Sequence, residues 1–437
     1  MRSESAAAAS RAAAATRVEK TTLPNGIRVL SEEIPGTVSA AIGIWVESGS
    51  RFETQAQNGL SHFLEHLFFK GTARRTAAEI AEEIDAVGGV LNADTDREHT
   101  CYYVKVLGEH VPLGIDLLSD IFLASCFDPE EVAREKEVVL EEIAQIEDTP
   151  DDLINDLFHS AYWPEHALGR PVCGTRDTVP TFDRDKLRAW VAQRYRPDRI
   201  VIAAAGDVRH ERLVDEIGTR FGSLTGSAPL DDGIAPISRS SITVHRRRLE
   251  QVQLCLGTRG VAVTDAERDA AILLNSALGD SPSSRLFQEV RERRGRAYSI
   301  DSFLCSYRDA GYLGIAAGTR PAWVREVVEI VIGELRRIRS EGVPAVELAR
   351  AKGKLRGTIL LGLETSDQRM ERLALNEMYF GRQVASAELT ERLEAVDNDR
   401  IVALARRLFT AESCTLVLLG DVRANAIDDG IFGGLQA

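Results

Sequence analysis

The sequence predicts an α+β protein built from two homologous α/β-sandwich domains, each a mostly antiparallel sheet covered by helices. Three observations predict the two homologous domains. The chain has 437 residues, more than one ordinary hydrophobic core accommodates. A strand closing in Gly-Asp-Val-Arg occurs twice, at Val201–Arg209 and Thr415–Arg423, each time after a similar order of elements. That recurrence points to an internal duplication of about two hundred residues. Between the copies, Gly222 to Ser240 is rich in Gly, Ser, Pro and Asp, the composition of a linker. The expected organisation is a disordered extension over 1–17, a first domain over 18–221, a linker over 222–240 and a second domain over 241–437.

In chain order, Val18 to Glu33 reads as a hairpin, because Asn25-Gly26 separates two apolar runs. Ser39 to Val46 is nearly continuously apolar and fits a central strand. A short helix follows Asn58, a residue suited to an N-cap, and a second starts at Thr76 and stops at Gly88-Gly89. Val90–Thr95 and Thr100–Val106 are strands joined at Asp96-Arg97. Helices are expected at His110–Ser125, Pro129–Glu147, Asp151–Tyr162 and Phe182–Tyr195, then the strand Ile200–Ala205 and a helix to Phe221. The second copy repeats the scheme. Its strands are Ser241–His245, Gln251–Gly257, Tyr298–Ser306, Gly311–Ala317 and Cys414–Leu419, and a helix covers Ser284–Glu292.

Hydrophobic residues at 44% and charged residues at 27% describe a soluble globular protein. No run of eighteen apolar residues exists, so no membrane span is expected. The net charge of −14 argues against nucleic acid and permits basic substrates. Cys101, Cys126, Cys173, Cys255, Cys305 and Cys414 lie without CxxC spacing. They read as reduced core residues of an intracellular protein. The Ala/Ser-rich start carries three arginines but also Glu4. It reads as a disordered start on a cytoplasmic protein of bacterial type, rather than a transit peptide for the mitochondrial matrix.

The chemistry concentrates in Gly59-Leu-Ser-His-Phe-Leu-Glu-His-Leu-Phe-Phe69. His62, Glu65 and His66 share one face if this stretch is helical. Two imidazoles one turn apart can hold one Zn²⁺, and the carboxylate beside them can take a proton from a water. The remaining side chains of the stretch are mostly apolar, so the three polar groups need partners. With eight histidines in the chain, H-x-x-E-H arises by chance in on the order of one such chain in a hundred. Two hydrogen-bonded core histidines remain the alternative. The second copy has no such motif.

A catalytic zinc takes three protein ligands and keeps a position for water. On the helix from Pro129, Val132, Val139, Ile143 and Ile146 form an apolar stripe. Glu135 and Glu142 lie on that stripe, whereas Glu137 and Glu141 point towards solvent. Carboxylates on a buried face need a cation. Glu142 as third ligand and Glu135 as its support meet that need, and salt bridges to arginine would meet it too. His99, His159 and His166 read as structural.

His62-Phe-Leu-Glu-His-Leu-Phe-Phe-Lys-Gly-Thr72, followed by Glu135-Lys-Glu-Val-Val-Leu-Glu-Glu142, resembles the inverted-motif zinc peptidases of the pitrilysin family. The closest likeness is to the short, two-domain branch of processing-type peptidases. The resemblance extends over Gly89–Thr95, Glu98–Tyr102 and Arg291-Glu-Arg-Arg-Gly-Arg-Ala-Tyr298. It implies a zinc endopeptidase for short or unfolded peptides, with His62, His66 and Glu142 as ligands, Glu65 as general base and Glu135 as support. It implies that substrate backbone adds to the strand through Asn92 and Ala93. It also implies that Arg291 and Tyr298 bind the substrate carbonyl and the transition state. Without it, Arg291 reads as part of a solvated helix end and Tyr298 as strand packing. Arg296 stands where the family often has Leu, which bears on local packing alone.

Relatives with four such domains enclose substrate in a two-halved chamber, so this chain resembles one half. The implied partner is a second copy of the chain or a homologous zinc-free subunit, with Arg291 and Tyr298 acting in trans. Other readings of such a chain are a non-catalytic structural subunit of a larger complex and a maturase for one peptide precursor. The complete set His62, Glu65, His66 and Glu142 favours an enzyme.

Overall fold

The computed structural model describes residues 17–226, 233–423 and 425–435. The expected disordered start and part of the linker therefore lie outside the described residues. Arg17 belongs to the first strand.

Strands form where the pattern placed them. They are β1 (Arg17–Thr22), β2 (Arg28–Glu33), β3 (Ser39–Val46), β4 (Val90–Thr95), β5 (Thr100–Leu107) and β6 (Ile200–Gly206). They build one sheet in the order β1-β2-β6-β3-β5-β4. All its pairs are antiparallel except β2 with β6. The second sheet contains β7 (Ser241–Arg246), β8 (Val252–Arg259), β9 (Ala297–Ser306), β10 (Gly311–Thr319) and β11 (Thr415–Gly420). Its order is β7-β11-β8-β10-β9, again with one parallel pair, β7 with β11. Each sheet thus places its strand before Gly-Asp-Val-Arg next to that parallel partner, as a duplication requires. β4 and β9 are edge strands of their sheets.

The chain divides into two compact units, and they are not the contiguous halves 18–221 and 241–437. The first comprises 1–142, 172–232 and 361–383; the second comprises 143–171, 233–360 and 384–437. The physical reason lies in two apolar helix faces. The helix Ser366–Phe380 sets Met370, Leu373 and Ala374 against Leu30, Ala41, Trp45, Val201 and Ala203 of the first sheet. The helix Pro150–Tyr162 sets Ile154, Phe158 and Tyr162 against Cys255, Tyr312, Val417 and Leu419 of the second. Burying such a face contributes roughly 25 cal/mol per Å² of apolar area, whichever part of the chain supplies it. The other face of the second sheet packs on a core that includes Leu274, Val328, Leu335, Ile401 and Leu404.

Two local expectations change. Residues Phe287–Glu292 form a π-helix rather than the end of an α-helix, a wider turn frequent at functional sites. The helix beginning after Thr76, which caps it through Glu79 N–H, ends at Asp85 rather than at the glycines. No helix among the described residues is long and apolar enough to cross a membrane.

Candidate active site

The motif helix spans Leu60–Phe68, so the spacing of His62, Glu65 and His66 does put them on one face. Its N-cap is Gly59, not Asn58, and no side chain of the cap residue serves it. The role falls to Glu53, which is fully buried and accepts from Gly59 N–H and Ser61 N–H, each at 2.7 Å. Burial pushes the Glu53 carboxyl up, and those backbone donors work against the shift. Two unsatisfied donors at a helix start are thereby met. The apolar side of the helix is fixed by rings. Phe68 packs edge-on to Tyr102 at 4.8 Å and stacks on Phe122 at 5.9 Å, and Phe63 meets Phe182 at 5.5 Å. Glu53→Ala is expected to destabilise the fold by about 1–3 kcal/mol, because two buried donors lose their acceptor. Chemical denaturation of the metal-free protein measures this, and an unchanged midpoint would contradict it.

Glu135 and Glu142 lie on the helix Pro129–Asp148. Val132, Glu135 and Val139 are buried, while Glu137 and Glu141 are exposed, as the stripe predicted. Glu142 Oε2 stands 3.6 Å from His62 Nε2 and 3.7 Å from His66 Nε2. Zinc with arms of about 2.1 Å in a tetrahedron needs donors about 3.4 Å apart, so the two distances from Glu142 are close to those of ligands sharing one ion. Glu135 is 3% exposed and touches a different atom, His66 Nδ1, at 3.1 Å, while Lys70 Nζ pairs with it at 2.7 Å. A carboxylate on the far nitrogen of a ligating histidine fixes its tautomer and orientation. Burial alone would raise the Glu135 carboxyl, but His66 and Lys70 outweigh it and hold it low. Burial, and then the neighbouring His66, bring His62 down to about 4, so its ring is neutral and free to ligate. His62 Nδ1 is buried without a hydrogen-bond partner. His66 is pushed up, first by its Glu135 contact: its surroundings favour a positive charge, which a proton or a metal ion can supply.

Glu65 accepts a hydrogen bond from Thr95 Oγ1, at the end of β4. Burial raises its carboxyl and the Thr95 contact partly offsets this. β4 itself is exposed at Val90, Asn92 and Asp94. Ala93 N–H donates to Asn92 Oδ1 at 2.9 Å. The structure therefore gathers His62, Glu65, His66, Glu135 and Glu142, with the strand of Asn92 and Ala93 ending beside Glu65.

Arg291 and Tyr298 belong to the second unit. Within it they meet. The Arg291 guanidinium lies over the Phe287 ring at 4.7 Å and the Tyr298 ring at 5.6 Å, and Tyr298 is 76% exposed on β9. Arg296 stacks on Trp323 at 5.0 Å and pairs with Glu326 at 2.9 Å, so it is accommodated without disturbing them. His159 and His166 are structural: His159 bonds Asn155 O and Tyr312 Oη, and His166 accepts from Leu168 N–H.

Residues 28–176 match the family described as Insulinase (Peptidase family M16), and residues 181–355 match the Peptidase M16 inactive domain. The chain belongs to peptidase family M16. Among its M16 relatives, the uncharacterized zinc protease YmxG of Bacillus subtilis is 40% identical over 395 residues, covering 90% of this chain and 96% of that one. An uncharacterized zinc protease of Streptomyces coelicolor is 40% identical over 426 residues, covering 95% and 92%. In fold, the chain is similar to a protease from Helicobacter pylori, with a TM-score of 0.86 at 20% identity over 93% of this chain and 99% of that one. A peptidase M16 inactive domain from Pseudomonas fluorescens gives 0.88 at 19%, over 93% and 98%. The protein is a zinc metallopeptidase.

Four residues near the site carried no usable signal in the sequence. Glu53 belongs to no motif, and Thr95 and Lys70 lie within stretches of the resemblance that assign them no role. Cys173, expected in the core, is instead only partly buried, with Sγ 3.9 Å from Glu142 Oε1.

Proposed function

We propose that this chain is an endopeptidase for short or unfolded peptides, holding one zinc through His62, His66 and Glu142. The observation that carries this reading is the approach of Glu142 Oε2 to the Nε2 atoms of both histidines, on a helix that also carries Glu65. Zinc bound there would supply Lewis acidity to a water and to the scissile carbonyl. Glu65 takes the proton of the attacking water and delivers it to the leaving amine. Its raised carboxyl suits a group that must both accept and release a proton. Thr95 holds the carboxylate in place, and Glu135 keeps His66 oriented. Glu135→Ala is expected to weaken zinc binding about 10–100-fold, measured by competition with a chelator; unchanged affinity would remove Glu135 from this role.

The substrate backbone adds to the open edge of β4 at Asn92 and Ala93, with the Asn92 side chain releasing Ala93 N–H. Recognition through backbone gives broad selectivity. Arg291 and Tyr298 bind the substrate carbonyl of a peptide held by a second chain, so that two copies close one chamber. A homologous zinc-free subunit could replace the second copy. Their mutual stacking and the exposure of Tyr298 support a surface prepared for contact.

Metal analysis with a peptide-library cleavage profile tests the reading. Chelation should abolish cleavage and zinc should restore it; cleavage that persists after zinc removal would sink it. Light scattering combined with activity at each concentration tests assembly, and an active monomer would contradict action in trans.

A further inference from the structure

Cys173 lies beside two of the residues read here as zinc ligands. Its thiol, a ring nitrogen of His62 and a carboxylate oxygen of Glu142 all lie within 4.8 Å of one another. The placement is fixed by backbone contact. Gly59 at the start of the metal helix and Gly174 beside the thiol have φ of +95° and +84°. A Cβ on Gly59 would stand 2.5 Å from Gly174 Cα and 2.8 Å from Cys173 O. Thr178 Oγ1 then ties this loop to Asn58 O at 2.8 Å. The loop of Cys173 and the helix of His62 are thus pressed together without an intervening side chain. Thiolate is a favoured zinc ligand, and its bond of about 2.3 Å is longer than those to nitrogen or oxygen.

We propose that Cys173 is an alternative fourth ligand of the zinc, its thiolate exchanging with water at the open position. In the resting state His62, His66, Glu142 and Cys173 close the coordination. In the working state the thiol has withdrawn and water enters. On binding zinc, the thiol gives its proton to solvent; on release it takes one back, with no change of oxidation state. This rests on the reading of His62, His66 and Glu142 as the zinc site.

The full chain loaded with cobalt(II) in place of zinc tests it. A sulfur-to-cobalt charge-transfer band in the near ultraviolet is expected, and it should vanish in Cys173→Ser while cobalt still binds. Alkylation of Cys173 by iodoacetamide, followed by mass spectrometry, should be slower in the zinc-loaded protein than in the metal-free one. A wild-type spectrum without the band, a band unchanged in Cys173→Ser, or alkylation indifferent to zinc would each overturn the proposal. His62→Ala separates the two readings. If it loses cobalt and the wild type lacks the band, Cys173 fails alone; if it binds cobalt undiminished, the zinc site fails and Cys173 with it.

Discussion

Glu65→Gln is expected to keep its zinc and lose about 10²–10⁴-fold in kcat, the range supplied by a positioned proton-transfer group. The amide has the shape of the carboxylate, and its oxygen can still accept from Thr95 Oγ1. The packing of Phe63 and Phe68 on the same helix is untouched. What disappears is the ability to take a proton. The loss should therefore fall on kcat and kcat/KM together, since the group acts in the transition state and not in ground-state binding. Zinc content is measured by metal analysis, turnover on an unstructured peptide. Near-normal turnover with zinc in place would exclude Glu65 as the base.

At Glu142 the large effect is on the metal itself. Glu142→Ala removes a proposed donor outright, and zinc affinity should drop by more than the roughly 10–100-fold typical of a supporting residue. Its side chain is 38% exposed, so truncation opens no cavity, and the metal-free variant should unfold like the metal-free parent. Activity at trace zinc should vanish and return in part with excess zinc. A chelator competition that finds the parent's affinity would exclude Glu142 as a ligand.

Much of this site was legible in the sequence because its signals are local. The spacing of His62, Glu65 and His66 is a property of one helix turn. Glu135 and Glu142 betrayed themselves as charges on an apolar stripe, and the structure buries one and aims the other at the histidines. What the sequence hid is what distance along the chain conceals. Asn58 has the chemistry of a cap, but Glu53, folded in from before the helix, does the work. Thr95 and Cys173 matter only because a strand end and a loop arrive beside the motif. The π-helix at Phe287–Glu292 widens the turn without any residue type that signals it. The exchange of the helices Pro150–Tyr162 and Ser366–Phe380 was invisible for the same reason. An apolar stripe states that a helix needs a sheet, but not which of two similar sheets it will cover.

That exchange has a consequence for how the protein is made. On the ribosome, the strands of the first sheet emerge well before the helix Ser366–Phe380 that covers Leu30, Trp45 and Val201. At about 5–20 residues per second, the nascent chain waits on the order of ten seconds with that apolar face uncovered. The two units therefore cannot mature one after the other, as tandem domains usually do. Synthesis must run past Phe380 before the unit that carries His62, His66 and Glu142 has its full complement of helices.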